Sequence, residues 1–118
     1  MNIREFYEFV GGNYEDVLKR MVKEERVVKF VRMFERDPSY QGLVTAMDIE
    51  DYDEAFRMAH TLKRVCQNLG LGALEAPCNA ITEMLREPHR DVELAKSLLP
   101  DVTKQYEHTI EGVKSLKE

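Results

Sequence analysis

The stretch Asp51-Tyr52-Asp53-Glu54-Ala55-Phe56-Arg57-Met58-Ala59-His60-Thr61-Leu62-Lys63-Arg64-Val65-Cys66-Gln67-Asn68-Leu69-Gly70 decides the fold class. At about 100° per residue, Tyr52, Ala55, Phe56, Ala59, Leu62, Cys66 and Leu69 fall on one broad face that a helix turns to a core. Asp51 with Glu54 forms a capping box at its start, and Gly70 can take the left-handed conformation that ends a helix. His60 stands roughly 120° from the centre of that face, with Asp53 and Arg64 projecting similarly and Lys63 at the boundary. An exposed histidine is therefore expected at mid-helix, where neither packing nor capping accounts for it.

Outward from this helix the same signals recur. Ile3 to Val10 is a short segment that stops at Gly11-Gly12, and Asn13 followed by Asp16 resembles a further capping box. Val17, Leu18, Met21, Val28, Val31 and Phe34 keep helical spacing to about Arg36, but Lys23-Glu24-Glu25-Arg26 interrupts them and marks a bend or an exposed turn. Asp37-Pro38 opens another helix with Leu43, Val44 and Met47 inward. After the Gly70-Leu71-Gly72 corner, Leu74, Cys78, Ile81 and Leu85 share a stripe that ends near Glu87, before Pro88. Pro77 is expected to kink that helix or delay its start. Asp91 caps a last, long helix carrying Leu98, Val102, Tyr106, Val113 and Leu116, kinked at Pro100. No stretch alternates like a strand, so the fold class is all-α: an up-and-down four-helix bundle with additional short N-terminal helices.

Composition narrows the setting. The chain has 118 residues, which suits a single domain over 1–118, and its 43% hydrophobic content is enough for one core. A net charge of −5 repels nucleic acid and anionic lipid, so a protein partner is the better expectation. No run approaches the roughly 20 apolar residues of a membrane span, and Met1-Asn2-Ile3-Arg4-Glu5 lacks the apolar stretch of a signal peptide. A cytoplasmic monomer is expected. Cys66 and Cys78 lack the spacing of a redox pair and cannot complete a four-ligand zinc site, so both are expected reduced and packed.

Lys63 and Arg64 lie three and four residues beyond His60, and are its neighbours on a helix. Imidazole is a neutral nucleophile near pH 7 and accepts a phosphoryl group without a separate base, while nearby cations meet the negative charge that results. The same pattern on a surface is also what a solvated histidine among ordinary ion-pairing residues would give. No second acid, nucleophile or nucleotide-binding motif converges on His60 by spacing, so an enzyme using it as a general base is poorly supported and no cofactor is expected. His89 and His108 are expected to be solvated surface histidines.

The run Ala59-His60-Thr61-Leu62-Lys63, followed by Asn68-Leu69-Gly70, resembles the signature of histidine-containing phosphotransfer domains, His-x-x-Lys-Gly and then a Leu-Gly helix end. Phe30-Val31-x-Met33-Phe34, Asp51-Tyr52-x-x-Ala55, the Leu74 to Leu85 helix and the final Tyr106-containing helix also look like family elements, so the resemblance covers nearly the whole chain. It implies that His60 accepts phosphate from, and returns it to, an aspartate on the receiver domain of a response regulator or hybrid histidine kinase, with Lys63 supporting the phosphoryl group. It implies a carrier without kinase activity of its own. Magnesium belongs to the receiver, so no metal site is implied. Phe56, Arg57 and Gln67, on the turns flanking His60, are the expected docking surface, although Phe56 also reads as core. Arg64 departs from the family's usual glycine: either it is a second phosphoryl contact, or it occupies the space a receiver must enter. The second possibility leaves an alternative reading, a helical module that docks a receiver or kinase without carrying phosphate.

Overall fold

Asn2, Asn13, Asp51 and Asp91 each accept a hydrogen bond from a first-turn amide, those of Glu5 (2.9 Å), Asp16 (3.1 Å), Glu54 (3.2 Å) and Leu94 (3.0 Å), and so begin four of the helices. The computed structural model describes residues 1–117, and the helices run α1 (Ile3–Phe9), α2 (Tyr14–Met21), α3 (Glu24–Phe34), α4 (Ser39–Asp48), α5 (Tyr52–Leu69), α6 (Gly72–Leu85) and α7 (Val92–Lys114). No strand occurs among the described residues, and no helix there is long and apolar enough to cross a membrane. Among the described residues only Asn2 with Glu5 makes a reciprocal capping box. The Glu54 carboxylate turns instead to Arg57, and that of Asp16 to Arg20.

The chain breaks between α2 and α3 at Val22 and Lys23, so that of the charged interruption only Lys23 lies in the break while Glu24, Glu25 and Arg26 form the first turn of α3. Val22, at φ 73°, closes α2 in the left-handed region, a strained conformation for a β-branched residue. Asp37 accepts from the Ser39 amide (2.9 Å), so α4 begins one residue later than a proline-first start requires. Pro77 and Pro100 both lie inside helices that continue past them.

The helices α4 to α7 pack in sequence order across short corners, while α1 to α3 close around one end. Ala55, Ala59, Leu62 and Cys66 of α5 share one core with Leu43 of α4, Leu74, Cys78, Ile81 and Leu85 of α6, and Val102 of α7, all at 2% exposure or less. Cys66 and Cys78 are free and buried; their mutual contact, together with burial, pushes the Cys66 thiol far above its usual range. The N-terminal helices brace the α5–α6 corner. Buried Tyr7 donates to the Leu69 carbonyl (2.6 Å), the Asn13 amide donates to Gly70 (2.9 Å), and Arg20 donates to the carbonyls of Gln67 (2.8 Å) and Asn68 (2.9 Å). These bonds supply donors to carbonyls in the last turn of α5 and at its Gly70 cap, where intrahelical partners run out.

His108 is not a solvated histidine. Its ring stacks on Phe9 at 4.0 Å and its Nε2 lies 2.7 Å from the Phe9 carbonyl, because α1 lies across α7. His89 is exposed in the turn before α7, as expected.

Candidate functional site

His60 sits at the middle of α5 but is half-buried rather than exposed. The periodicity of α5 located it off the core correctly; what it could not show is the wall that the neighbouring helix raises beside it. The imidazole stacks on Phe56, one turn earlier, at 6.0 Å and 16°. Its Nδ1 is enclosed and has no hydrogen-bond partner among the described residues. Nε2 is left as the ring nitrogen that a reactant can approach.

The wall is α6. The tight corner at Gly70 and Leu71 sets α5 and α6 antiparallel, so each step of three or four residues back along α5 meets a matching step forward along α6. Gln67 donates to Glu75 (3.2 Å), Lys63 donates to Asn79 (3.4 Å), and the Arg86 guanidinium lies 5.0 Å from the Phe56 ring centre. Arg90, whose side chain is only 15% exposed, continues the ladder by pairing with Asp53 at 2.9 Å. Glu83 falls between Asn79 and Arg86 and so stands level with His60. Its carboxylate accepts from Arg86 Nη2 (2.9 Å) and Nε (3.1 Å), and this bond holds it below the usual carboxylate range, helped by the charge of Lys63.

The opposite flank of His60 is open. Arg57 is exposed and paired with Glu54 at 2.6 Å, whereas Arg64 is exposed and makes no hydrogen bond or ion pair among the described residues. Beyond Arg64, Met21, Phe30, Met33, Val65 and Leu69 line a groove of about 620 Å³ between α3 and α5, with Met33 52% exposed.

Of the residues singled out in the sequence, Phe56, His60 and Lys63 come together. Phe56 is half-buried: it packs against the edge of the core, and both Arg86 and the imidazole lie against its ring. Arg64 borders the cluster, Arg57 is held by its own helix, and Gln67 lies two turns away, tied to Glu75. The sequence reading missed Asn79, Glu83 and Arg86. Their spacing of four and three residues, off the Leu74–Leu85 core stripe, marks one polar face of α6. Nothing local to α6 assigns that face to His60.

This arrangement offers a single accessible ring nitrogen beside a lysine whose partner is a neutral amide, which suits a site that accepts an anionic group. The family model for the Hpt domain matches residues 34–115, from the last residue of α3 through α7, and so contains α4 to α7 and the whole His60 cluster. No curated protein and no solved structure matches the chain. With more than half its length matched, and with the all-helical bundle that such a domain requires, the chain belongs to the Hpt domain family, the phosphotransfer domains of two-component signalling.

Proposed function

We propose that His60 is the phosphoryl acceptor of this Hpt domain and that the chain carries the group between receiver domains, without kinase activity of its own. The observation that carries this reading is the asymmetry of the imidazole. Nδ1 is enclosed, which leaves the other nitrogen to a reactant, and Lys63 and Arg64, the latter with no ion pair among the described residues, follow one helical turn on. In the forward step Nε2 attacks the phosphorus of a receiver aspartyl phosphate. The N–P bond forms as the P–O bond to the aspartate breaks, and the carboxylate leaves with that electron pair. No base has to act, because neutral imidazole already presents a lone pair at the attacking nitrogen. The return step is the reverse.

The chain as a whole serves as one unit in this reading, since α1 and α2 hold the end of the His60 helix. The receiver docks over Phe56, His60 and Arg64, reaching the apolar groove formed by Phe30, Met33 and Val65. The test is incubation with a phosphorylated receiver followed by assay for acid-labile, alkali-stable phosphate on the protein. Its absence would leave the docking module as the better reading.

Lys63 supports the phosphoryl group. Asn79 steadies its ammonium without neutralising it, and although its charge is felt by Glu83 it forms no ion pair among the described residues. Lys63→Ala is expected to slow transfer by about tenfold, the worth of one charge-assisted contact of about 1.4 kcal/mol, with little change in melting temperature. Stopped-flow or quench-flow transfer rates check this; an unchanged rate counts against the role.

Arg64 is read as an obstruction to generic receivers. It is exposed, with no hydrogen bond or ion pair among the described residues to hold it aside, and it follows His60 by one helical turn, within reach of the space a receiver enters. Arg64→Ala and Arg64→Gly are both expected to speed transfer from receivers that are not its own partner, the Gly variant at a cost of about 1 kcal/mol of helix stability. Uniform slowing in both, measured across several receivers, would instead make Arg64 a phosphoryl contact.

A further inference from the structure

The polar ladder between α5 and α6 leaves one carboxylate, that of Glu83, level with the proposed acceptor, and ties it to a cation that the phosphoryl group would otherwise recruit. We infer that Glu83 and Arg86 form an exchangeable pair that limits how firmly His60 holds a phosphoryl group, and so favours passing it on. This rests on the reading of His60 as the acceptor.

The two cations on the α6 side of the imidazole are held differently. Lys63 bonds to neutral Asn79 (3.4 Å) and its charge is only felt by Glu83 without an ion pair, so it can turn to an incoming anion. Arg86 is committed twice, to the Glu83 carboxylate at 2.9 Å and to the face of Phe56, the ring that stacks on His60. A phosphoryl group brings nearly two negative charges and three acceptor oxygens to an imidazole that stacks on Phe56, the same ring that Arg86 lies against. It competes with Glu83 for Arg86, and the fork geometry of a guanidinium suits either partner. Glu83 meanwhile repels it. Both effects act against the phosphorylated state, whereas Lys63 acts in its favour. All of these side chains are partly solvated, so each charge changes an equilibrium only modestly.

Removing the Glu83 charge releases Arg86 and ends the repulsion, so Glu83→Gln stabilises phosphorylated His60 on both counts. Arg86→Ala leaves Glu83 uncompensated and acts in the opposite sense. Phosphate is loaded from phosphoramidate, where the Nε2–P bond forms as the P–N bond breaks and ammonia leaves, and in parallel from a phosphorylated receiver. In Glu83→Gln the phosphorylated fraction of His60 at equilibrium with that receiver is expected to rise by about threefold, and in Arg86→Ala to fall by a similar factor. Both shifts shrink at high salt, as charge effects between solvated groups do and packing effects do not. Glu83→Asp, which keeps the charge, stays near the parent value. Parental helicity and melting temperature in each variant exclude a folding cause. An equilibrium unchanged or lowered in Glu83→Gln overturns the inference, as does a rise in Arg86→Ala. If the parent protein takes phosphate from neither donor, the acceptor reading itself fails and takes this inference with it.

Discussion

His60→Gln is expected to abolish stable phosphorylation altogether while leaving helicity and melting temperature close to those of the parent. The side chain is half-buried, and the specific contact it loses is its stack on Phe56, worth about 0.5–1.5 kcal/mol. Its Nδ1 has no hydrogen bond to forfeit, so the substitution strands no protein partner. Chemically the change is total, because an amide nitrogen has no lone pair available to attack phosphorus. The other two histidines serve as internal controls with opposite structural weights. His89→Gln, in an exposed turn, should alter neither labelling nor stability. His108→Gln should keep labelling yet lower the melting temperature, since it disturbs the ring stack and the 2.7 Å contact that join α7 to α1. Labelling with phosphorylated receiver and thermal melts on all three variants check the set; loss of labelling at His89 or His108 would reassign the site.

Gly70→Ala should destabilise the protein by about 3 kcal/mol, combining left-handed strain of roughly 1–2 kcal/mol with overpacking at a closed corner. Gly70 lies at φ 63°, and a Cβ there would collide with a Val17 methyl and come within 2.9 Å of the Asn13 carbonyl oxygen. Neither neighbour can withdraw easily. Asn13 is backbone, and its own amide is bonded to Gly70. The corner also sets how far α6 is advanced along α5, so a shift there should move Asn79 away from Lys63 and slow transfer at the same time. Gly72→Ala is the contrasting case. Two residues on, its added Cβ would meet nothing nearer than the Gly11 carbonyl oxygen at 3.7 Å, and glycine in a helix is itself costly. That variant should be neutral or slightly stabilised. Urea unfolding of both variants decides the matter, and a Gly70→Ala midpoint at the parental value would remove the corner from this account.

Family membership gives these expectations their context. The matched segment holds α4 to α7, whereas the bonds that fix the end of the His60 helix come from α1 and α2, outside it. Arg20 is the clearest instance: from α2 it satisfies two carbonyls at the end of α5. Truncating the first helices would therefore disturb the site from a distance.

What the sequence determined by itself was local. The limits of α5 follow from Asp51 and Gly70, because a cap and a left-handed stop act within one helical turn. The four-helix bundle, an interruption near residue 23 and the placement of His60 off the core follow from periodicity in single helices. The resemblance to the family lay in the run from Ala59 to Lys63, the Asn68-Leu69-Gly70 helix end and the helices in register with them, and needed no tertiary information. Relations between helices were not legible. Glu83 looks like an ordinary exposed carboxylate within α6, and His108 like an ordinary surface histidine within α7. Only the packed structure brings Glu83 level with His60, half-buries the imidazole, leaves Nε2 as its approachable nitrogen and lays α1 over His108. The physical reason is that helix signals are carried by contacts three or four residues apart, whereas the register of one helix against another is set by the corner between them and by the fit of a whole buried face.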